Sequence, residues 1–238
     1  MNNQAARIRP IVRSRLYEAV VTLLQKQILS RAIAPGSKLA TERELAESLK
    51  VNRATIREAL RKLESLDLVE IRHGDGVFAK DFMESRNLEL IMIAINLDER
   101  HATVLDVVEG RSFLVPEIAF LAAQRRTASE LRELKKIVFN ESLPMQERDI
   151  KLHQMIARCA HNFLYTITLN FFTGIFAEFG DSYFADEGNV RRSQQFHLDI
   201  FEAIKAQNPD QARQIMFDVL HHAGEIMKGE LTKKPLKR

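Results

Sequence analysis

The chain has 238 residues, 45% hydrophobic and 28% charged, which excludes a disordered chain and suits a folded soluble protein of two ordinary domains. No apolar run reaches the ~18 residues needed to span a bilayer, no signal-peptide core follows Arg7, Arg9, Arg13 and Arg15, and the one cysteine, Cys159, rules out an internal disulfide. A cytoplasmic protein is expected. Its net charge of +3 is unevenly spread, with 15 Lys and Arg against 9 Asp and Glu up to Lys80 and 20 against 23 beyond. A basic N-terminal third on a mildly acidic remainder suits an anion-binding module joined to something else.

Residues 1–10 are polar and without period, as in a loose arm. From Ser14 to Ser30 the positions Leu16, Val20, Leu23, Leu24 and Ile28 recur at helical spacing, and Ala34-Pro35-Gly36-Ser37 ends the pattern. Thr41 with Glu44 three residues on has the form of a capping box, so a helix is expected there with Leu45, Ala46 and Leu49 inward. Lys50 falls at the turn, and Asn52 can cap the next helix. That third helix should bury Ile56, Ala59, Leu60 and Leu63 and leave Arg53, Thr55 and Arg57 on its exposed N-terminal side. A helix start favours phosphate, arginine can grip a guanine edge with two hydrogen bonds, and threonine serves phosphate or base. Two short apolar segments around His73-Gly74-Asp75-Gly76 then predict a hairpin. Helix, turn, helix and hairpin make a winged helix, with His73 and Gly74 at the wing.

Any one of these arginines alone would suit an ordinary solvated face; the ordered set would not. Residues 13–80 resemble the winged-helix domain of the GntR family of bacterial transcription regulators. The residues that carry the likeness are Ala34-Pro35-Gly36, Leu39 to Ala46, Val51-Asn52-Arg53, Ile56 to Leu63, Leu68-Val69 and Gly74-Asp75-Gly76. The resemblance places DNA contacts on Arg43, Asn52, Arg53, Thr55, Arg57, His73 and Gly74. Lys50 stands where glycine is usual, and Ala54 where a hydroxyl residue often sits.

Residues 81–100 read as a linker leading into a first short helix (88–97). Helices are expected near 103–125, 128–141, 146–160, 163–184, 190–207 and 209–229. The fold class is therefore mainly α: a winged helix-turn-helix over 11–80, then an all-α bundle of six or seven helices over 101–232. On the helix at 146–160, Asp149 and His153 edge the stripe Leu152, Met155, Ile156, Cys159. His197 lies inside the stripe Phe196, Ile200, Phe201, Ile204, and Arg111 lies amid Val104, Val107, Val108, Val115 and Ile118. Inward polar groups need partners, so Arg111, Asp149, His153 and His197 are candidates for one polar pocket. Imidazole and carboxylate together suit Zn²⁺, Ni²⁺ or Mn²⁺, though an inward histidine is more often a hydrogen-bonded core residue. Phe163, Phe171, Phe172, Phe176, Phe179 and Phe184 read as core, with a greasy acyl pocket as the alternative. The basic tail from Lys233 reads as a solvated end.

The order and spacing of these helices resemble the FCD-type effector domain of the FadR subfamily within GntR. That resemblance implies a divalent metal held by one aspartate and three histidines. Asp149, His153 and His197 match three positions; Val219 stands at the fourth, and His222, one turn on, is the substitute. Such a metal can take a small carboxylate effector at an open position while Arg111 pairs with a second anionic group, and Asn162 is the asparagine usual near that site. Val115 replaces a glutamate common four residues after the arginine, and His161 adds an imidazole beside Asn162. The expected protein is a homodimer on a pseudo-palindromic double-stranded operator, switched by a small organic acid. A metal-free acyl-CoA or fatty-acid sensor and a metal-dependent enzyme with a DNA-binding head are the alternatives. The sequence shows no second inward carboxylate for a general base, which weighs against the enzyme.

Overall fold

The computed structural model describes residues 13–97 and 102–233, with no side-chain description at 13–15, 176, 178 and 232–233. The N-terminal arm, most of the basic tail and the Phe176 side chain therefore lie outside the described residues. The chain divides into two compact units, Met1–Asp98 and Glu99–Arg238.

In the first unit α1 (Arg13–Leu29) packs chiefly on α3. Its buried face is Val20, Val21, Leu24 and Ile28, while Leu16 is 57% and Leu23 39% exposed. The helical period was legible, but the face that meets α3 is turned by part of a step from the one the leucines suggested. Helix α2 (Glu42–Leu49) opens on the expected capping box: the Glu44 N–H donates to Thr41 Oγ1 at 3.3 Å, and the Thr41 N–H to Glu44 Oε2 at 2.8 Å. It ends on Lys50 in the left-handed region, φ 54° and ψ 42°. Glycine adopts that conformation without a Cβ clash and lysine does not. Helix α3 (Arg53–Ser65) buries Ile56, Ala59, Leu60 and Leu63.

Strands β1 (Val69–Arg72) and β2 (Gly76–Ala79) pair antiparallel from Val69 opposite Ala79 to Arg72 opposite Gly76. Lys38 bridges to Phe78 on the far side of β2. The tip carries Gly74 at φ +77° and Gly76 at φ +140°; a Cβ on Gly76 would fall 2.6 Å from Lys38 Cε. After a 3₁₀ turn at Phe82–Glu84 comes α4 (Glu89–Leu97), whose Leu90 joins the core of this unit.

The second unit is helical throughout its described residues: α5 (Ala102–Arg125), α6 (Ala128–Val138), α7 (Met145–Cys159), α8 (Phe163–Tyr183), α9 (Glu187–Lys205) and α10 (Pro209–Lys233). Helix α5 runs unbroken through Pro116. It lies antiparallel along α10, with Val108 beside Gly224 at one end and Glu117 paired to Arg213 at 2.6 Å further along. The core is filled by the expected stripes, including Val115, Ile118, Leu152, Ile156, Cys159, Phe196, Ile200 and Ile204. Burial pushes the Cys159 thiol up to about 12, so it is an unreactive core group. The phenylalanine segment does not behave as one block: Phe172 packs on the core, whereas Phe163 is 82% exposed.

Candidate nucleic-acid interface and central cavity

The start of α3 is built from its cap. Asn52, in extended conformation, accepts through Oδ1 from the Thr55 N–H at 2.8 Å and from the Thr55 hydroxyl at 3.0 Å. This corrects the expectation that Thr55 faces outward beside the arginines: Thr55 is 7% exposed, and its hydroxyl is spent on the cap. Arg53 and Arg57 are exposed, as are Asn52 itself and, on the wing, His73 and Gly74. Arg43 is exposed on α2 and lies 3.8 Å from Glu47.

Arg57 is not idle. It holds Glu42 with two nitrogens, Nη2 to Oε2 at 2.7 Å and Nε to Oε1 at 3.0 Å. The hydrogen bond from Arg57, aided by the charges of Arg53 and Arg61, keeps the Glu42 carboxyl below its ordinary range and raises Arg57 in return. Sequence reasoning missed Glu42, because a partner 15 residues away on another helix leaves no spacing signal. The pair pre-orients a guanidinium beside the capped start of α3, and any anion must compete with a carboxylate for it. On the wing, Arg72 lies over the Phe78 ring at 4.3 Å and pairs with Glu70 at 2.8 Å.

In the second unit a cavity of about 90 Å³ is lined by Arg111 of α5, Gln146, Asp149 and His153 of α7, Tyr183 of α8, Ser193 of α9 and Val219 of α10, with Phe179 and Phe184 among its apolar walls. The Asp149 carboxylate is its centre. His197 Nε2 is hydrogen-bonded to Asp149 Oδ1 at 2.9 Å, and His153 Nε2 lies 3.7 Å from Oδ2. Burial opposes the charge on Asp149, but His153, His197 and Arg111 outweigh it and hold its pKa below the ordinary value. Burial drives His153 down to about 4 against the pull of Asp149, and lowers Arg111 to about 10 against Asp149 and Tyr183. His153 also stacks on Phe196, ring centroids 5.5 Å apart.

The structure brings together Arg111, Asp149, His153 and His197. It does not bring in the other two expected residues. His222 stands 3.4 Å from Asn189 Oδ1 and is not part of the cavity wall. Asn162 caps α8, accepting from the Leu164 and Tyr165 N–H groups at 3.0 and 3.4 Å, and it too lies outside the wall. His161 pairs with Glu130 at 3.0 Å.

The fit to a divalent metal is poor on the geometry present. Among the described residues no three His, Cys, Asp or Glu side chains are grouped to hold an ion. The Nε2 atoms of His153 and His197 face Asp149, and the Nδ1 atoms of both rings are buried without a partner. A metal-bound imidazole usually donates its second N–H to a supporting group. Val219 contributes an apolar wall at the place of a fourth ligand.

No helix of the described residues is long and apolar enough to cross a membrane. Comparison with known proteins agrees with the geometry of both units. Residues 16–79 match the family described as bacterial regulatory proteins, gntR family, and residues 106–222 match the FCD domain. The chain is 28% identical over 207 residues to the galactonate operon transcriptional repressor of Escherichia coli, covering 83% of this chain and 90% of that one. It is 27% identical over 209 residues to the HTH-type transcriptional regulator LutR of Bacillus subtilis, covering 83% and 94%. Among solved structures, Lar of Listeria monocytogenes superposes with a TM-score of 0.50 at 15% identity, over 92% of this chain and 97% of that one, a likeness of fold. With a capped, arginine-bearing helix and wing in the first unit and a polar-centred helical bundle in the second, this chain belongs to the GntR family of transcription regulators, in the FCD-bearing branch, and is not an enzyme.

Proposed function

We propose that this regulator binds a pseudo-palindromic operator in double-stranded DNA as a homodimer, one winged helix per half-site, and that a small organic acid in the central cavity controls it. The reading puts the protein in the cytoplasm, where its operator lies. The observation that carries it is Arg111, a half-buried guanidinium lining a partly open cavity beside the Asp149 carboxylate and the His153 imidazole. An acid entering there exchanges water for a charge-assisted hydrogen bond in a low-dielectric site. A cavity of about 90 Å³ has room for several waters and so for a short organic acid.

We take the site to work without the divalent ion that the family resemblance implies, because neither the His153 nor the His197 imidazole has a supporting partner on Nδ1 and Val219 occupies the fourth place. A thermal-shift screen of short carboxylates on the full chain, with and without a chelator, tests both parts. Stabilisation by at least one acid that Arg111→Met abolishes is expected in either arm. No stabilisation by any short acid would sink the effector assignment. Stabilisation that vanishes on chelation and returns with Zn²⁺, Ni²⁺ or Mn²⁺ would restore the metal, with Asp149, His153 and His197 as its ligands. Gel shift on the chain's own promoter region tests the operator: absence of salt-sensitive, sequence-specific binding would refute that part.

A further inference from the structure

We infer that the second unit carries another anion-binding site, outside the central cavity, organised on the guanidinium of Arg148. Arg148 stands in the first turn of α7 and is only 8% exposed. A guanidinium cannot escape burial by losing its proton, so the surroundings normally supply a carboxylate or a full set of carbonyl acceptors. Other arginines of this unit are partnered in that way although they are less buried. Arg213 holds Glu117 and Asp210, and Arg125 and Arg126 donate to carbonyl oxygens at 2.9 and 2.7 Å.

Arg148, buried deeper than these, has no carboxylate and only one long bond to a carbonyl. Its Nη1 reaches the Asn140 carbonyl at a long 3.4 Å, its Nη2 meets only the Met145 sulfur at 2.9 Å, and its buried Nε has no acceptor. The Nε and Nη2 groups form the edge with which arginine grips an oxyanion through two parallel hydrogen bonds. Here that edge faces a thioether, a weak acceptor.

The same residue lines an open cleft of about 670 Å³ between the start of α7, the segment before it and α9. Met145 and Gln194 share that lining with Arg148. Methionine is unbranched and readily re-packs, so Met145 can leave the Arg148 edge to an entering oxygen, and Gln194 offers a neutral donor. Glu141 also lines the cleft, and its charge weakens the binding of any anion there. The inner wall is His197, whose other side touches Asp149 of the central cavity. The ligand is thus a compact oxyanion of phosphate size, and its cleft is joined to the central cavity through the hydrogen bond between His197 and Asp149.

The test is a titration of the full chain, methyl-labelled at methionine, with inorganic phosphate against chloride at matched ionic strength. We expect the Met145 methyl signal to move saturably with phosphate and not with chloride. Arg148→Gln should abolish that response while unfolding, in phosphate-free buffer, at the same temperature as the parent or higher, since it removes an uncompensated charge. Glu141→Gln should tighten phosphate by about threefold or more through lost repulsion. A parent that shows no phosphate-specific movement overturns the proposal, as does an Arg148→Gln variant that keeps the movement. Should Arg148→Gln fail to fold, an unchanged phosphate affinity in Glu141→Gln overturns it independently.

Discussion

Replacing Asn52 by alanine removes the single atom on which two hydrogen bonds at the start of α3 converge, 2.8 Å from the Thr55 N–H and 3.0 Å from its hydroxyl. Loss of an N-cap costs about 1 kcal/mol. Thr55 is buried, so its hydroxyl loses an acceptor where water cannot readily replace it, at about 1 kcal/mol more. The variant should therefore lose roughly 2 kcal/mol from the winged-helix unit. Aspartate at the same place caps as well as asparagine and favours the helix dipole. Asn52→Asp should stay within about 0.5 kcal/mol of the parent, yet its new charge lies where phosphate is expected, so operator affinity should drop roughly tenfold or more at moderate salt. Urea unfolding of the full chain, with hydrogen exchange of the α3 amides assigning the transition, gives the stability, and gel shift gives the affinity. An Asn52→Ala protein as stable as the parent, or an Asn52→Asp protein as unstable as Asn52→Ala, would refute the cap argument.

Lys50→Gly places at φ 54° the residue that tolerates it, and should stabilise the unit by about 0.5–1 kcal/mol in the same melts. Arg57→Ala should weaken operator binding by roughly tenfold to a hundredfold and lower its salt dependence. Glu42→Gln, which frees Arg57 from its carboxylate, should strengthen binding; equal affinities in all three proteins would remove Arg57 from the interface. The depressed pKa of His153 predicts a pH effect on stability. Between its ordinary 6.5 and its folded value of about 4 the unfolded chain binds the extra proton, so stability should fall as pH drops through that window. Asp149, also lowered, adds loss of the same sign below its ordinary range. His153→Gln should flatten the upper part of this profile in pH-dependent thermal melts, and an unchanged profile would contradict the assignment.

What the sequence determined by itself is what depends on neighbours a few residues away. The Thr41–Glu44 box, the Asn52 cap, the glycines of the wing and the apolar stripes of α7 and α9 are such features. They follow from local hydrogen bonding and helical period, which is why the winged helix and the all-α second unit were legible. The inward set Arg111, Asp149, His153 and His197 was legible for the same reason, as a polar residue inside an apolar stripe stands out. Tertiary structure decided the rest, because a helical wheel gives angles within one helix and not which neighbour each angle meets. It buried Thr55 behind its own cap and gave Arg57 to Glu42. It left His222 beside Asn189, placed Asn162 at the start of α8, and closed Arg148 into the bundle with no carboxylate. Each outcome depends on how one helix is rotated against another, and that rotation is set by packing of the whole core.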